Sequence, residues 1–531
     1  MVEYLKLILI IVFLLVVLRR ILNFIYWIQV KEYRFDRFCV FIKSKEGKRL
    51  LELYNWFFEI VLIIFSYLWK EFITILILYF IYQNFKLVLE ILRKEVRKPV
   101  FTQRIYLILI TSLLFTIASL VFVKNLFIFC LILETVTLAG IIAGVVWTRI
   151  IVNRIKVRDI ACAKKKLLKI KPLVVGITGS YGKTSTKEFL SAILNSHAKT
   201  ISTVKNENTE FGVTRMVIDK LQKGTKFFVV EMGAYKKSEI SAICKIVHPD
   251  IGVITGIEPQ HLALFKNMQI LKQAKFELIE ALPKNGLAFF NYSNKFCQEL
   301  AYKARQLSSK LKISSYALAD NNNPTTSVDC LANIIRQTIK GIDFEIQINS
   351  RREKFYAPVH GRHFIENLTG AIIVSYKLGV PLQKIKKVCS NLETLSGTMA
   401  LKKIRGGSYL IDDSYNATPR GFESALNYLN LFKGFQKIVV TPGIIELGEK
   451  SKEIHHELGK LLTNVDNIFL TNDEFRKDLL EGLGKDGYKL QVIGRSFKNQ
   501  EDYFRELLKT HKFVLLIEGR IPIKTLDTLI Q

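Results

Sequence analysis

The run Val174-Val175-Gly176-Ile177-Thr178-Gly179-Ser180-Tyr181-Gly182-Lys183-Thr184-Ser185 sets two turn glycines and a Lys-Thr pair directly behind an apolar stretch. That arrangement suits a nucleoside triphosphate. Gly179 and Gly182 let backbone N–H groups close around phosphate oxygens, Lys183 adds a point charge on the terminal phosphates, and Thr184 offers a hydroxyl to Mg²⁺. A helix starting near Lys183 aims its positive end at the same anion. The candidate nucleotide site is therefore Thr178, Gly179, Ser180, Tyr181, Gly182, Lys183, Thr184 and Ser185, with ATP and Mg²⁺ as the expected cofactors. The loop is Thr-Gly-x-x-Gly-Lys-Thr, shorter than the commonest phosphate-binding loop.

Elements on either side must hold this loop in place. Past Pro172, strand-like runs at Phe227 to Glu231, Ile251 to Thr255 and Leu287 to Asn291 alternate with helical patterns at Lys183 to Asn195, Glu210 to Lys220 and Met268 to Leu282. Such alternation predicts a parallel α/β sheet. A second set follows Gly397: Tyr409 to Asp413, Lys437 to Thr441, Asn467 to Thr471, Lys489 to Ile493 and Phe513 to Glu518. Two α/β domains meeting at a cleft are expected.

The first part of the chain reads differently. Mean hydropathy is +0.21 although 23% of residues are charged, which suggests a membrane part joined to a soluble one. Apolar runs cover Tyr4 to Tyr26, Leu51 to Phe85 with a break at Lys70-Glu71, Ile105 to Val123, and Leu126 to Thr148. Each piece is about membrane length. No small-residue cleavage site follows the first run, so it reads as a span rather than a signal peptide.

Basic loops at Lys31 to Arg49 and Arg93 to Arg104 face the cytoplasm by the positive-inside rule. With both inside, Leu51 to Phe85 makes two spans, giving five in all. The alternative is an interfacial helix at Leu51 to Trp69 and four spans. Either way the chain leaves the membrane on the cytoplasmic side, where ATP is. The expected location is the cell membrane, multi-pass, with the α/β domains in the cytoplasm.

The net charge of +30 raises the question of nucleic acid. Its basic residues cluster beside the apolar runs, where anionic lipid headgroups attract them by about 1 kcal/mol each. Interleaved aromatics for base stacking are missing, so membrane lipids and not nucleic acid are the expected charged partner. The seven cysteines are scattered, with no Cys-x-x-Cys pair, and read as free thiols rather than a metal cluster.

From about Pro172 onward the chain resembles the Mur ligases, ATP-dependent amide-forming enzymes of peptidoglycan synthesis. Three segments carry the likeness beside the loop: Thr203 to Val213, Glu231-Met232-Gly233-Ala234, and Ile411-Asp412-Asp413-Ser414-Tyr415-Asn416-Ala417-Thr418-Pro419. The last two resemble the D-alanyl-D-alanine-adding branch. The apolar and basic runs set a transmembrane region of four to five helices at 1–150 and a basic linker at 151–171, and the likeness implies a central P-loop ATP-binding domain at 172–397 and a Rossmann-like C-terminal domain at 398–531.

The family match also assigns roles. In such ligases a carboxylate attacks the γ-phosphate and an amine displaces the resulting acyl phosphate, so charge neutralisation around the phosphoryl group is the main task. Glu231 would hold Mg²⁺ opposite Thr184. His261, within Thr255 to Leu262, would help hold a second Mg²⁺. Lys275, in Ala274-Lys275-Phe276-Glu277, matches a lysine carbamylated by CO₂ and so turned into an anion at the metal site. Asn291 and Asn367 match residues that contact the adenosine, and Asp413 faces the nucleotide cleft. Asn206, Asn208, Glu210, Tyr415, Asn416 and Glu446 are carried over as substrate contacts; Glu446 stands in a segment that runs on to His455.

Three departures stand out. The uridine-nucleotide-binding domain is replaced by the membrane region, and Ser396-Gly397-Thr398 lacks the arginine that usually meets the phosphates. Ile517-Glu518-Gly519-Arg520 replaces a Lys-Gly-Ser segment. Arg420 and Lys402 are candidates for the missing charge. The expected activity is addition of D-alanyl-D-alanine, or a similar amine, to a muramyl-peptide carboxylate. The alternatives are a ligase or amidating enzyme acting on a lipid-linked cell-wall precursor, or a P-loop ATPase of membrane transport.

Overall fold

The computed structural model describes residues 2–43, 47–48, 51–69, 72–92, 96–120, 126–204, 207–258, 265, 267–307, 309–319, 327–393, 397–414, 417–444, 447, 450–492, 512–519 and 521. They form two compact units, Met1–Arg158 and Asp159–Gln531.

The first unit is helical: Val2–Val30, Phe35–Lys43, Leu53–Leu68, Phe72–Leu92, Gln103–Leu120, and the first part of Leu126–Ile170. Phe13, Val16, Leu62, Leu76 and Phe80 build one core between the first, third and fourth of these, and Phe13 meets Phe80 edge-on at 5.3 Å. Among the described residues three helices, Ile10–Val30, Phe72–Leu92 and Thr135–Ile170, are long and apolar enough to cross a membrane. Tyr54–Leu68 and Gln103–Ala118 are shorter apolar helices. Four or five spans are expected from the sequence; among the described residues these three reach the length by themselves. Both basic stretches contain helix. Part of the first basic loop is the amphipathic helix Phe35–Lys43, and the stretch expected as a linker is helical through Ile170. Its last turns are not solvated throughout, because Ala163 and Leu167 are buried against Val217 and Leu221.

The second unit contains two sheets. The strands of the first are β1 (Leu173–Thr178), β2 (Thr200–Ser202), β3 (Phe227–Glu231), β4 (Ile251–Ile254), β5 (Leu287–Asn291), β6 (Lys312–Leu318), β7 (Cys330–Thr338), β8 (Gly341–Ile348) and β9 (Arg351–Ala357), arranged β2-β3-β1-β4-β5-β6-β7-β8-β9. Pairing is parallel as far as β7 and antiparallel across β8 and β9. β1 and β3 are buried almost throughout, as strands covered on both faces must be. The chain leaves β1 toward β3 on one side and returns to β4 on the other. The carboxyl end of β1 is thus the switch point where such sheets bind ligands.

The second sheet has β10 (Ala400–Lys403), β11 (Tyr409–Asp413), β12 (Gln436–Thr441), β13 (Asn467–Leu470), β14 (Leu490–Val492) and β15 (Phe513–Glu518), in the order β10-β11-β15-β12-β13-β14. β10 runs antiparallel to β11 and the others are parallel. Within the same unit, Tyr428, on the helix Pro419–Leu429 after β11, donates from its hydroxyl to Ile339 O at 2.9 Å.

Candidate active site

β1 ends at Thr178, and the helix Lys183–Asn195 begins five residues later, with Gly182 as its N-cap at φ 77°. Only glycine holds that conformation without strain, and a Cβ there would also strike Asn367 Oδ1. Among the described residues no side chain caps this helix, so its first N–H groups remain for an anion. The Ser180 N–H is committed elsewhere, to Gly256 O at 2.6 Å. Thr178 Oγ1 donates to Met232 O at 2.9 Å and fastens the loop base to the end of β3. Lys183 arches over the loop, its Nζ donating to Gly179 O and Ser180 O at 2.9 Å each. Burial lowers its pKa and the Glu231 carboxylate opposes that shift.

Glu231 closes β3 beside Ile177 of β1. Its Oε1 accepts from Asn208 Nδ2 at 3.1 Å, and its backbone N–H is held by Thr203 Oγ1 at 3.0 Å. Its Oε2 is buried without a hydrogen-bond partner among the described residues. Lys187 Nζ lies 3.7 Å from it. Lys187 is a residue that motif reading did not find. One helical turn beyond Lys183 and fully buried, it also donates to Thr203 O at 2.7 Å and pairs with Glu188 at 3.0 Å. Its i+4 spacing from Lys183 was the signal available in the sequence.

Lys275 lies buried on the helix Met268–Glu280, 5.9 Å from the Phe265 ring centroid. Burial, then the Lys183 charge, lowers its pKa to about 7, so a neutral amine is accessible near neutrality. Glu277 on the same helix plays a separate part: Oε1 accepts from Ser238 N at 2.6 Å and Oε2 from Ser241 N at 2.9 Å, capping the helix Glu239–Val247.

A second cluster surrounds Tyr181, whose ring fills the space beside Gly256 that any Cβ would occupy. Its hydroxyl meets Asn294 Nδ2 at 3.4 Å, Glu366 Oε1 at 3.5 Å and Arg420 Nη1 at 3.3 Å. Burial raises the hydroxyl well above its ordinary range, which keeps it protonated. Asn291 donates to Thr255 O at 2.6 Å and to Glu366, while its Oδ1 accepts from Ser293 N at 3.0 Å. The structure thus shows Asn291 bracing the loops around Tyr181. Glu258, Asn294 and Glu366, given no role from sequence, join this cluster because the loops after β4 and β5 and the helix Arg362–Lys377 converge on the phosphate loop.

Arg420 comes from the other sheet's domain. It pairs through Nε with Glu258 at 3.0 Å. Of the two candidates for the missing charge, Arg420 touches the phosphate loop through Tyr181, whereas Lys402 pairs with Asp412 at 3.3 Å. Asp413 accepts from Met399 N at 3.2 Å and stands opposite Glu518 in the β11–β15 register. Burial raises Asp413 to about 7, and burial with the Asp413 charge raises Glu518 far above its ordinary value.

The structure brings together Thr178, Gly179, Ser180, Tyr181, Gly182, Lys183, Asn208, Glu231, Asn291 and Asn367, and Lys275 lies close enough to feel Lys183 and Glu231. Thr184 and Ser185 begin the helix behind the loop. Glu210 opens the helix Glu210–Lys220, capped by Thr209. Asn206, His261, Tyr415, Asn416 and Glu446 lie outside the described residues. His455 is a packing residue: Nε2 accepts from Ile444 N at 3.1 Å, Nδ1 lies 2.7 Å from Ser451 O, and the ring stacks on Phe475 at 3.9 Å.

Two family models match the chain: the Mur ligase middle domain over residues 177–375 and the Mur ligase glutamate ligase domain over 399–516. Among curated relatives, the UDP-N-acetylmuramoyl-tripeptide–D-alanyl-D-alanine ligase of Buchnera aphidicola subsp. Acyrthosiphon pisum is 30% identical over 357 residues, 66% of this chain and 74% of that protein. The same enzyme of Bacillus subtilis is 27% identical over 342 residues, 62% and 71% of the two chains. Among solved structures, MurF from Acinetobacter baumannii has a TM-score of 0.61 at 26% identity, covering 70% of this chain and 79% of that one.

Proposed function

The chain belongs to the Mur ligase family, the ATP-dependent amide-forming ligases, and from that premise we propose that it adds D-alanyl-D-alanine to a muramyl-tripeptide carboxylate. The observation that carries this reading is the likeness to D-alanyl-D-alanine ligases through both α/β domains, with Lys183, Glu231 and Lys275 electrostatically coupled at the end of β1.

The residues fit Mg-ATP. The uncapped helix Lys183–Asn195 and Lys183 would take the phosphates. Thr184 and the unpartnered Oε2 of Glu231 would hold Mg²⁺ together with phosphate oxygens. The metal, when bound, neutralises charge on the transferring phosphoryl group. An acceptor carboxylate oxygen attacks the γ-phosphorus and ADP leaves. The amine then attacks the acyl carbon, inorganic phosphate departs, and the amine gives up a proton. Lys183 neutralises charge in the first step, and Lys187 and Asn208 hold Glu231 in place. Lys275 as a carbamate would add an anion to fix the metal, and its lowered pKa supplies the neutral amine that CO₂ requires.

The three long apolar helices favour a second element of the reading, that this ligase works at a membrane and accepts a lipid-linked precursor. Incubation with Mg-ATP, D-alanyl-D-alanine and either UDP-muramyl-tripeptide or its lipid-linked form, followed by mass spectrometry, tests both parts. A product one dipeptide heavier supports the ligase, and preference for the lipid-linked acceptor supports the membrane role. No dipeptide addition to either acceptor would overturn the substrate assignment.

A further inference from the structure

The helical unit holds a cleft of ≈ 400 Å³ that the ligase chemistry does not use. Its lining comes from the helix Val2–Val30, from Glu52, from Phe72–Leu92 and from Val96 and Arg97. Leu15, Leu18 and Ile91 line it while remaining 46%, 52% and 56% exposed, so the opening has an apolar rim. Inside the cleft the chemistry changes. Arg19, midway along the apolar helix Ile10–Val30, donates through Nη2 to Glu52 at 2.8 Å and to Glu90 at 2.7 Å. Arg20 pairs with buried Glu59 at 2.7 Å, and Lys86 with Glu52 at 2.9 Å. Ionisable groups within apolar spans are costly and mark ligand or ion sites.

The charge balance favours an anion. Arg19, Arg20, Lys86 and Arg97 outnumber Glu52, Glu59 and Glu90. Two carboxylates engage only Nη2 of Arg19, so its Nε–H and Nη1 donors have no partner among the described residues. A guanidinium fork with free donors at the floor of a cleft with an apolar rim matches a phosphate group carrying a hydrocarbon chain. We propose that this cleft binds the phosphate headgroup of an amphiphile, with its chain lying along Leu15, Leu18 and Ile91. The inference rests on the reading that this unit sits in a membrane. A bilayer phospholipid and a long-chain isoprenyl phosphate share the required chemistry.

The test uses the full chain. Flotation with phosphatidylcholine vesicles checks membrane association by itself. Binding of radiolabelled geranylgeranyl phosphate to delipidated protein in mild detergent then checks the cleft, with phosphatidylglycerol as competitor. Saturable binding near one equivalent is expected. Leu22→Trp, which fills the cleft without touching a charge, and Arg19→Lys, which keeps the ion pairs but removes the fork, should each weaken binding at least about tenfold. Displacement by phosphatidylglycerol assigns the site to bilayer phospholipid; resistance to it assigns the isoprenyl phosphate. Flotation without saturable binding, or binding unchanged in both folded variants, would overturn the cleft while leaving the membrane reading intact. Failure to float would overturn the membrane reading and the cleft with it.

Discussion

Arg420 Nη1 donates to the Tyr181 hydroxyl at 3.3 Å, joining a helix of the C-terminal domain to the phosphate loop of the central one. The same guanidinium holds Glu258 at 3.0 Å. These contacts make Arg420 the candidate for the charge missing at Thr398. Replacement by alanine is expected to lower kcat/KM for ATP by about tenfold to a hundredfold, with Arg420→Lys in between. Steady-state kinetics at varied ATP check this, and unchanged constants would remove Arg420 from the site.

Lys187 is expected to matter through Glu231. Lys187→Met keeps the stem but leaves Glu231 without its buried cation, so the apparent affinity for Mg²⁺ should fall more than that for the amine substrate. Titrating Mg²⁺ in the ATPase assay separates the two effects. An equal loss for both would mark Lys187 as a general packing residue.

Lys275 gives a pH signature. With its pKa lowered to about 7, the neutral amine that attacks CO₂ becomes abundant as pH rises through that value. Carbamate occupancy should therefore increase from pH 6 to pH 8, read as a ¹³C signal from labelled bicarbonate that is absent in Lys275→Ala. A signal that persists in this variant, or none in the wild type at pH 8, would exclude the carbamate.

Asp413 and Glu518 make the C-terminal sheet sensitive to alkali. Both carboxyls bind protons more tightly folded than unfolded, Asp413 to about 7 against an ordinary value near 3.9. Their stabilisation is complete below about pH 4 and is lost as pH rises through about 7. Glu518→Gln should flatten that fall. Thermal melts at pH 5 and pH 8 check it, and a parallel fall in both proteins would contradict the pairing.

Much of this was legible in the sequence because the signals were local. Phe227–Glu231, Leu287–Asn291 and Lys183–Asn195 announce themselves as apolar strands or as a helix behind a glycine turn. β7 to β9 did not, since their inward residues alternate with arginine, lysine and glutamate on one exposed face. The helix through Asp159–Ile170 was hidden by its run of lysines, whose buried partners Ala163 and Leu167 are few. The Tyr181 cluster was out of reach for a different reason. It joins residues from three loops and two helices across two domains, and no spacing along a chain encodes such a meeting. The ion network of Arg19, Glu52 and Glu90 is the same case in the helical unit.

The most direct test of the central claim follows the oxygen. Muramyl-tripeptide labelled with ¹⁸O in its acceptor carboxylate, incubated with the protein, Mg-ATP and D-alanyl-D-alanine, should yield one ¹⁸O in each inorganic phosphate released, and Lys183→Ala should release none. Phosphate free of label, or released at the same rate without the dipeptide and acceptor, would contradict an acyl-phosphate ligase.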